Sequence, residues 1–152
     1  MFTIQAGTKF VRVRYFIDPN EIFNVSISDQ PNIYRTQQAA KQDLQRLDTW
    51  LDEKIQWAEQ QIASTEAAIA RAEAEVVKQE AKLESLLDLP YRQVVKQVDS
   101  AKRNIERERS SIDSHKPSLR SYRADLARYS KLKSAGAAVV SLQQTVVALE
   151  TV

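Results

Sequence analysis

Leu86-Leu87-Asp88-Leu89-Pro90-Tyr91 decides how this chain folds, because a helical pattern that begins near Arg35 either runs on through it or turns back. Pro90 has no backbone N–H to give to a helix interior, and its ring crowds the preceding turn. A helix entering this stretch therefore ends near Leu87, and another starts beyond Pro90. On the N-terminal side, Leu44, Leu47, Leu51, Ile55, Ala58, Ile62, Thr65, Ile69, Ala72, Val76, Gln79, Leu83 and Leu86 follow steps of three and four. That is a heptad seam with one stutter at Leu47-Leu51-Ile55. On the C-terminal side, Val98, Ile105, Ile112, Leu119 and Leu126 recur every seven residues. Val94, Ala101, Glu108, His115, Tyr122 and Tyr129 form the second row of that seam.

The two rows match one another if the chain folds back at Asp88-Leu89. Residues whose numbers sum to 177 then lie opposite: Leu83 with Val94, Val76 with Ala101, Ala72 with Ile105, Ile69 with Glu108, Ile62 with His115, Ala58 with Leu119, Ile55 with Tyr122. Several layers set a small residue against a large one, as close packing of two helices requires. Charge placement agrees. Residues 35–89 hold 7 Lys/Arg and 11 Asp/Glu, and residues 90–135 hold 12 and 5, so the arms carry −4 and +7. Glu59, Glu66, Glu73 and Glu80 repeat every seven residues beside the first seam; Lys102, Arg109, Lys116 and Arg123 do so beside the second. Both stripes occupy the e position, and e faces e′ in an antiparallel pair, so they set register and orientation. The short Leu87–Pro90 link favours folding back within one chain over an intermolecular antiparallel dimer. At 1.5 Å per residue, arms of about 45 residues would make a rod of about 65–70 Å. Pro117, inside the second arm, is expected to kink that helix or to restart it after an interruption around Ser114-His115-Lys116.

A hairpin returns the chain to its starting point, so residues 1–34 and 136–152 are expected to meet in a small β-rich base. Lys9-Phe10-Val11-Arg12-Val13-Arg14-Tyr15-Phe16-Ile17 reads as a strand, with Val11, Val13, Tyr15 and Ile17 on one face and Phe10, Arg12, Arg14 and Phe16 on the other. Glu21 to Ser28 is a second long strand, and Gly7-Thr8 and Asp18-Pro19-Asn20 are turn signals. Gly136 suits the end of the second helix. The apolar tail from Val139 to Leu149 fits either a strand joining the N-terminal sheet or a helical face, and its β-branched content favours the strand. The expected architecture is thus α+β: a base in 1–34, an antiparallel helical hairpin in 35–135 turning at 87–90, and a returning tail in 136–152. Its seam is Ile55, Ile62, Ile69, Val76 and Leu83 against Val98, Ile105, Ile112, Leu119 and Leu126.

Composition narrows the function classes. The chain of 152 residues has 28% charged residues, no cysteine and only two glycines, Gly7 and Gly136. Thiolate metal sites, disulfides and glycine-rich phosphate loops are therefore excluded, and no Gly-x-Ser-x-Gly or His-Glu-x-x-His is present. His115, the only histidine, falls at a seam position and reads as a polar side chain reaching out of a thin interface. No apolar run approaches the ~18 residues that span a bilayer, and Lys9, Arg12 and Arg14 interrupt the N-terminal apolar stretch, so no membrane segment or signal peptide is expected and synthesis in the cytoplasm follows by default. No enzyme activity, metal or cofactor is expected. Trp50, Trp57, Tyr122 and Tyr129, beside the seam at helical spacing, read as packing residues.

Three partner classes remain. The leading expectation is a structural or assembly protein that docks or self-associates through its base and uses the hairpin as spacer or contact arm; small cysteine-free chains of this kind occur in large assemblies, phage particles among them. Phe10, Arg12, Arg14 and Phe16 form a candidate partner face. The second class is a nucleic-acid-binding protein using Arg103, Arg107, Arg109, Arg120, Arg123, Arg128, Lys131 and Lys133 of the basic arm. Against it stand the acidic stripe facing those cations and the row Asp99, Glu106, Asp113 on the same arm. The third is a regulator or inhibitor that caps a target protein through the base or hairpin tip.

Overall fold

The apolar rows build two long helices, α1 (Gln37–Leu87) and α2 (Tyr91–Ser134), in a computed structural model that describes residues 1–17 and 21–142. Thr36 caps α1: its hydroxyl accepts the Ala39 N–H at 3.2 Å, satisfying one of the orphan donors of the first turn. Pro90 precedes α2, where a missing N–H costs nothing, and its carbonyl accepts the Gln93 N–H at 3.0 Å. Gly136 ends α2 with φ +64, the left-handed backbone that glycine adopts without strain.

Pro117 neither breaks nor restarts α2, which is helical throughout 114–117. This corrects the expected interruption around Ser114-His115-Lys116. The side chains of Asp113 and Pro117 both lie on the exposed face, so the carbonyl that loses its N–H partner faces solvent and not the core, while Ile112 and Leu119 stay buried in the seam on the other side. Interior proline still carries a cost near ~3 kcal/mol relative to alanine. Pro117→Ala is accordingly expected to stabilise the hairpin by up to ~3 kcal/mol, read as a raised midpoint in thermal or urea unfolding followed by far-UV circular dichroism.

Four strands make one antiparallel sheet of order β3-β2-β1-β4: β1 (Phe2–Ala6), β2 (Lys9–Tyr15), β3 (Ile22–Ser28) and β4 (Ala138–Ser141). Gly7-Thr8 joins β1 to β2 in a two-residue turn whose first residue has φ +64, the position a type II′ hairpin reserves for glycine. The C-terminal tail supplies β4, with Ile4 opposite Val139; the rest of that tail, 143–152, lies outside the described residues. Ile17 does not share the face of Val11, Val13 and Tyr15 that the strand alternation predicts for it. β2 stops at Tyr15, its register with β3 shifts between Arg14 and Tyr15, and Ile17 is fully exposed where the chain turns off the sheet.

The chain forms two compact units whose boundary falls inside the helices: Met1–Gln56 with Leu126–Val152, and Trp57–Asp125. In the first, alternate strand residues Ile4, Ala6, Val11, Val13 and Ile22 pack with Leu47, Leu51 and Tyr129 from the helices. Strand period two on one side and helix period 3.6 on the other thus close a single core. In the second, the buried rows are Ala58, Thr65, Ala72 and Gln79 on α1 and Val94, Val98, Ala101, Ile105, Ile112 and Leu119 on α2. Ile62, Ile69, Val76 and Leu83 are half-buried alongside, as a two-helix seam leaves them.

Candidate functional site

Helix α1 puts Leu47, Trp50 and Leu51 toward the sheet, and the helix-side face of β3 presents Ile22 and Val25 beside them. Between strand and helices the first unit leaves an open groove of about 960 Å³. Its apolar floor comes from Trp50, Tyr129, Leu132 and Val25, and Trp50 meets Tyr129 edge-on with ring centroids 5.4 Å apart. Its rim is charged with both signs, from Glu21 and Glu53 to Arg46, Lys54 and Arg128. One wall is β3 itself, which among the described residues is an edge strand hydrogen-bonded only to β2.

That edge lacks most of the devices that normally protect one. Ile22-Phe23-Asn24-Val25-Ser26-Ile27-Ser28 contains no charge and no proline, and its single irregularity is the register shift at Phe23. Phe23 is 58% and Ile27 43% exposed. Phe16 and Phe23 stack edge-to-face at 5.0 Å at the mouth of the groove. The outer row of backbone N–H and C=O groups, which no other described strand pairs, is a template for another strand.

Of the partner face expected from sequence, Arg12 and Arg14 are exposed on the far side of the sheet, opposite Ser26 and Asn24, and Phe10 is half-buried between Gln5 and Ser28. Phe16 does not join them. It lies past the end of β2 and lines the groove instead. The edge escaped sequence reasoning because nothing local distinguishes an outer strand from an inner one; strand order is a long-range property. A run of seven uncharged residues was the available signal.

A second arrangement was also missed. The Tyr15 and Tyr34 hydroxyls donate to the two oxygens of one carboxylate, Asp43 near the start of α1, at 2.5 and 2.6 Å. Burial, and then the bond to Asp43, pushes the Tyr15 phenol up to about 12, with Arg46 pulling the other way; the same two causes raise Tyr34 further. The pair ties β2 and the segment before α1 to the helix. A tyrosine whose folded-state value is raised contributes stability that is fully present below its ordinary value of 10.0 and disappears as pH climbs through about 12. The first unit is therefore expected to lose stability above about pH 10, and a Tyr15→Phe, Tyr34→Phe variant is expected to lose less over the same range, measured as urea midpoints at pH 8 and pH 11.

In the second unit the e stripes meet in part. Arg109 donates to Glu80 at 2.7 Å and Arg123 to Glu66 at 2.8 Å, so fourteen residues backward on α1 match fourteen forward on α2. This register is about one heptad away from the expected one that set Leu83 opposite Val94, which would leave Glu80 and Arg109 about 18 Å apart along the axis. Leu83 instead lines a shallow groove with Lys102 and Ile105. Lys116 lies 3.8 Å from Asp113 on its own helix, and no ion pair joins it to Glu73. In the first unit Asp52 pairs with Lys133. These pairs are about half exposed, so each contributes only ~0–1 kcal/mol. They also engage three cations of the basic arm with acids of α1, leaving Arg120 and Lys131 exposed. His115 and Glu108 are half-buried at their seam positions. Among the described residues no group of three or more histidine or acidic side chains could hold a metal ion, and no helix is long and apolar enough to cross a membrane.

Compared with models of known families, with curated proteins and with solved structures, the chain matches none.

Proposed function

We propose that this chain is a non-enzymatic assembly protein that docks to protein through its sheet, with the helical hairpin serving as a spacer or contact arm in a larger particle such as a virion. The observation that carries this reading is the β3 edge: seven uncharged residues with exposed Phe23 and Ile27, beside an aromatic-floored groove. Edge strands left in this state recruit other strands, with main-chain hydrogen bonds giving affinity and side-chain pockets giving selectivity. The groove is open, and its conspicuous groups are aromatic rings and surface charges of both signs, which suits a protein surface better than a buried small substrate. Nucleic-acid binding by α2 is the weaker reading, since Arg109, Arg123 and Lys133 are already engaged by carboxylates.

The test is the mass of the purified protein by size-exclusion chromatography with light scattering, over about 1–200 μM. The expected result is an assembly at a whole multiple of 17.3 kDa that Ile27→Lys, a charge on the edge, reduces to monomer. A protein that remains monomeric over the whole range, or an assembly indifferent to Ile27→Lys, would overturn the docking role of this edge.

A further inference from the structure

We infer that the strand completing the β3 edge is β3 of a second copy of this chain, paired antiparallel about a two-fold axis at Ser26; this rests on the docking role proposed above. An isologous contact requires a surface that complements itself. Beyond the irregularity at Phe23, the regular part of the strand is Asn24-Val25-Ser26-Ile27-Ser28, and its centre is Ser26. Centring the axis there sets Ser26 against Ser26 of the second copy, Asn24 against Ser28, and Val25 against Ile27. Every pair joins side chains of one face, polar with polar and apolar with apolar. No like charges meet, which a strand bearing Lys or Glu could not offer to its own copy.

The helix-side face gains most. Ile27 is 43% exposed in the single chain, while Val25 is half-buried at the groove wall. Pairing covers the exposed isoleucine with the valine of the other copy, twice over by symmetry. The product is one continuous eight-stranded antiparallel sheet, β4-β1-β2-β3 followed by its symmetry mate.

Cysteine cross-linking tests the register, and the chain has no native cysteine to interfere. Residues directly opposite on antiparallel strands lie close enough for their β-carbons to support a disulfide. Full-length Ser26→Cys is expected to form a covalent dimer on mild oxidation. Asn24→Cys and Ser28→Cys are expected to cross-link when mixed, at least ten-fold more than either does alone. Light scattering of the reduced variants is run in parallel. Dimers in solution that fail to cross-link at Ser26 would overturn the two-fold β3 pairing while leaving an assembly role intact. Monomers throughout would overturn both.

Discussion

Ile105→Asp is expected to unfold the helical hairpin at neutral pH. Ile105 is 8% exposed in the middle of the α2 seam, beside Leu83 and Glu80 of α1. Removing a buried isoleucine costs ~2–5 kcal/mol. Burying a carboxylate in the apolar seam adds further cost, which Lys102 and Arg109 at the rim of the shallow groove beside it reduce without cancelling, since Arg109 is already paired with Glu80. The sum rivals the ~5–15 kcal/mol that holds an ordinary domain together. Far-UV circular dichroism should show loss of most helix at pH 7. The new carboxyl has a raised folded-state value, so the deficit shrinks as pH falls and the acid becomes neutral; partial recovery of helix near pH 4 is expected. Ser110→Asp, on the exposed side of the same helix, should leave the spectrum unchanged. A stable, fully helical Ile105→Asp protein would mean that Ile105 does not face the other helix.

Leu47→Ala is expected to lower the stability of the first unit by ~2–5 kcal/mol. Leu47 is 1% exposed and packs in the one cluster that unites β1, β2, β3 and both helices. A small core has few neighbours able to collapse into the space, which favours the upper half of that range. Two tryptophans separate this loss from events in the other unit. Trp50 belongs to the first unit and stacks on Tyr129; Trp57 belongs to the second and stacks on Tyr122 at 5.5 Å. In a Trp57→Phe background, Trp50 fluorescence should show the Leu47→Ala transition at markedly lower urea. An unchanged midpoint would place Leu47 outside the cooperative core.

The hairpin was legible because heptad rows encode a contact that repeats. Val98, Ile105, Ile112 and Leu119 announce a buried stripe from sequence alone, and all four are buried. The strand alternation of Val11 and Val13 was readable for the same reason. Ile17 was not, because a shift in pairing at Arg14 and Tyr15 ends the strand two residues early, and the shift depends on the partner strand. Pro117 misled because local propensity counts the lost hydrogen bond but not the packed seam holding the helix on either side. The Tyr15–Asp43–Tyr34 bridge spans 28 residues and follows no period. The β3 edge depended on strand order, which placed the C-terminal strand beside β1 and left β3 outermost.

That the two seam helices come from one chain is tested most directly by spin labels at Glu73→Cys and Lys116→Cys. Both positions are exposed and lie midway between the Glu80–Arg109 and Glu66–Arg123 pairs. Helices in contact lie ~8–10 Å apart between axes, so labels on facing positions should show a separation below about 20 Å. The doubly labelled chain is diluted with a large excess of unlabelled chain before refolding. A short distance whose amplitude per label survives dilution is the predicted result. A distance that vanishes on dilution would show that the helices pair between chains, and the fold-back at Leu87–Pro90 would be wrong.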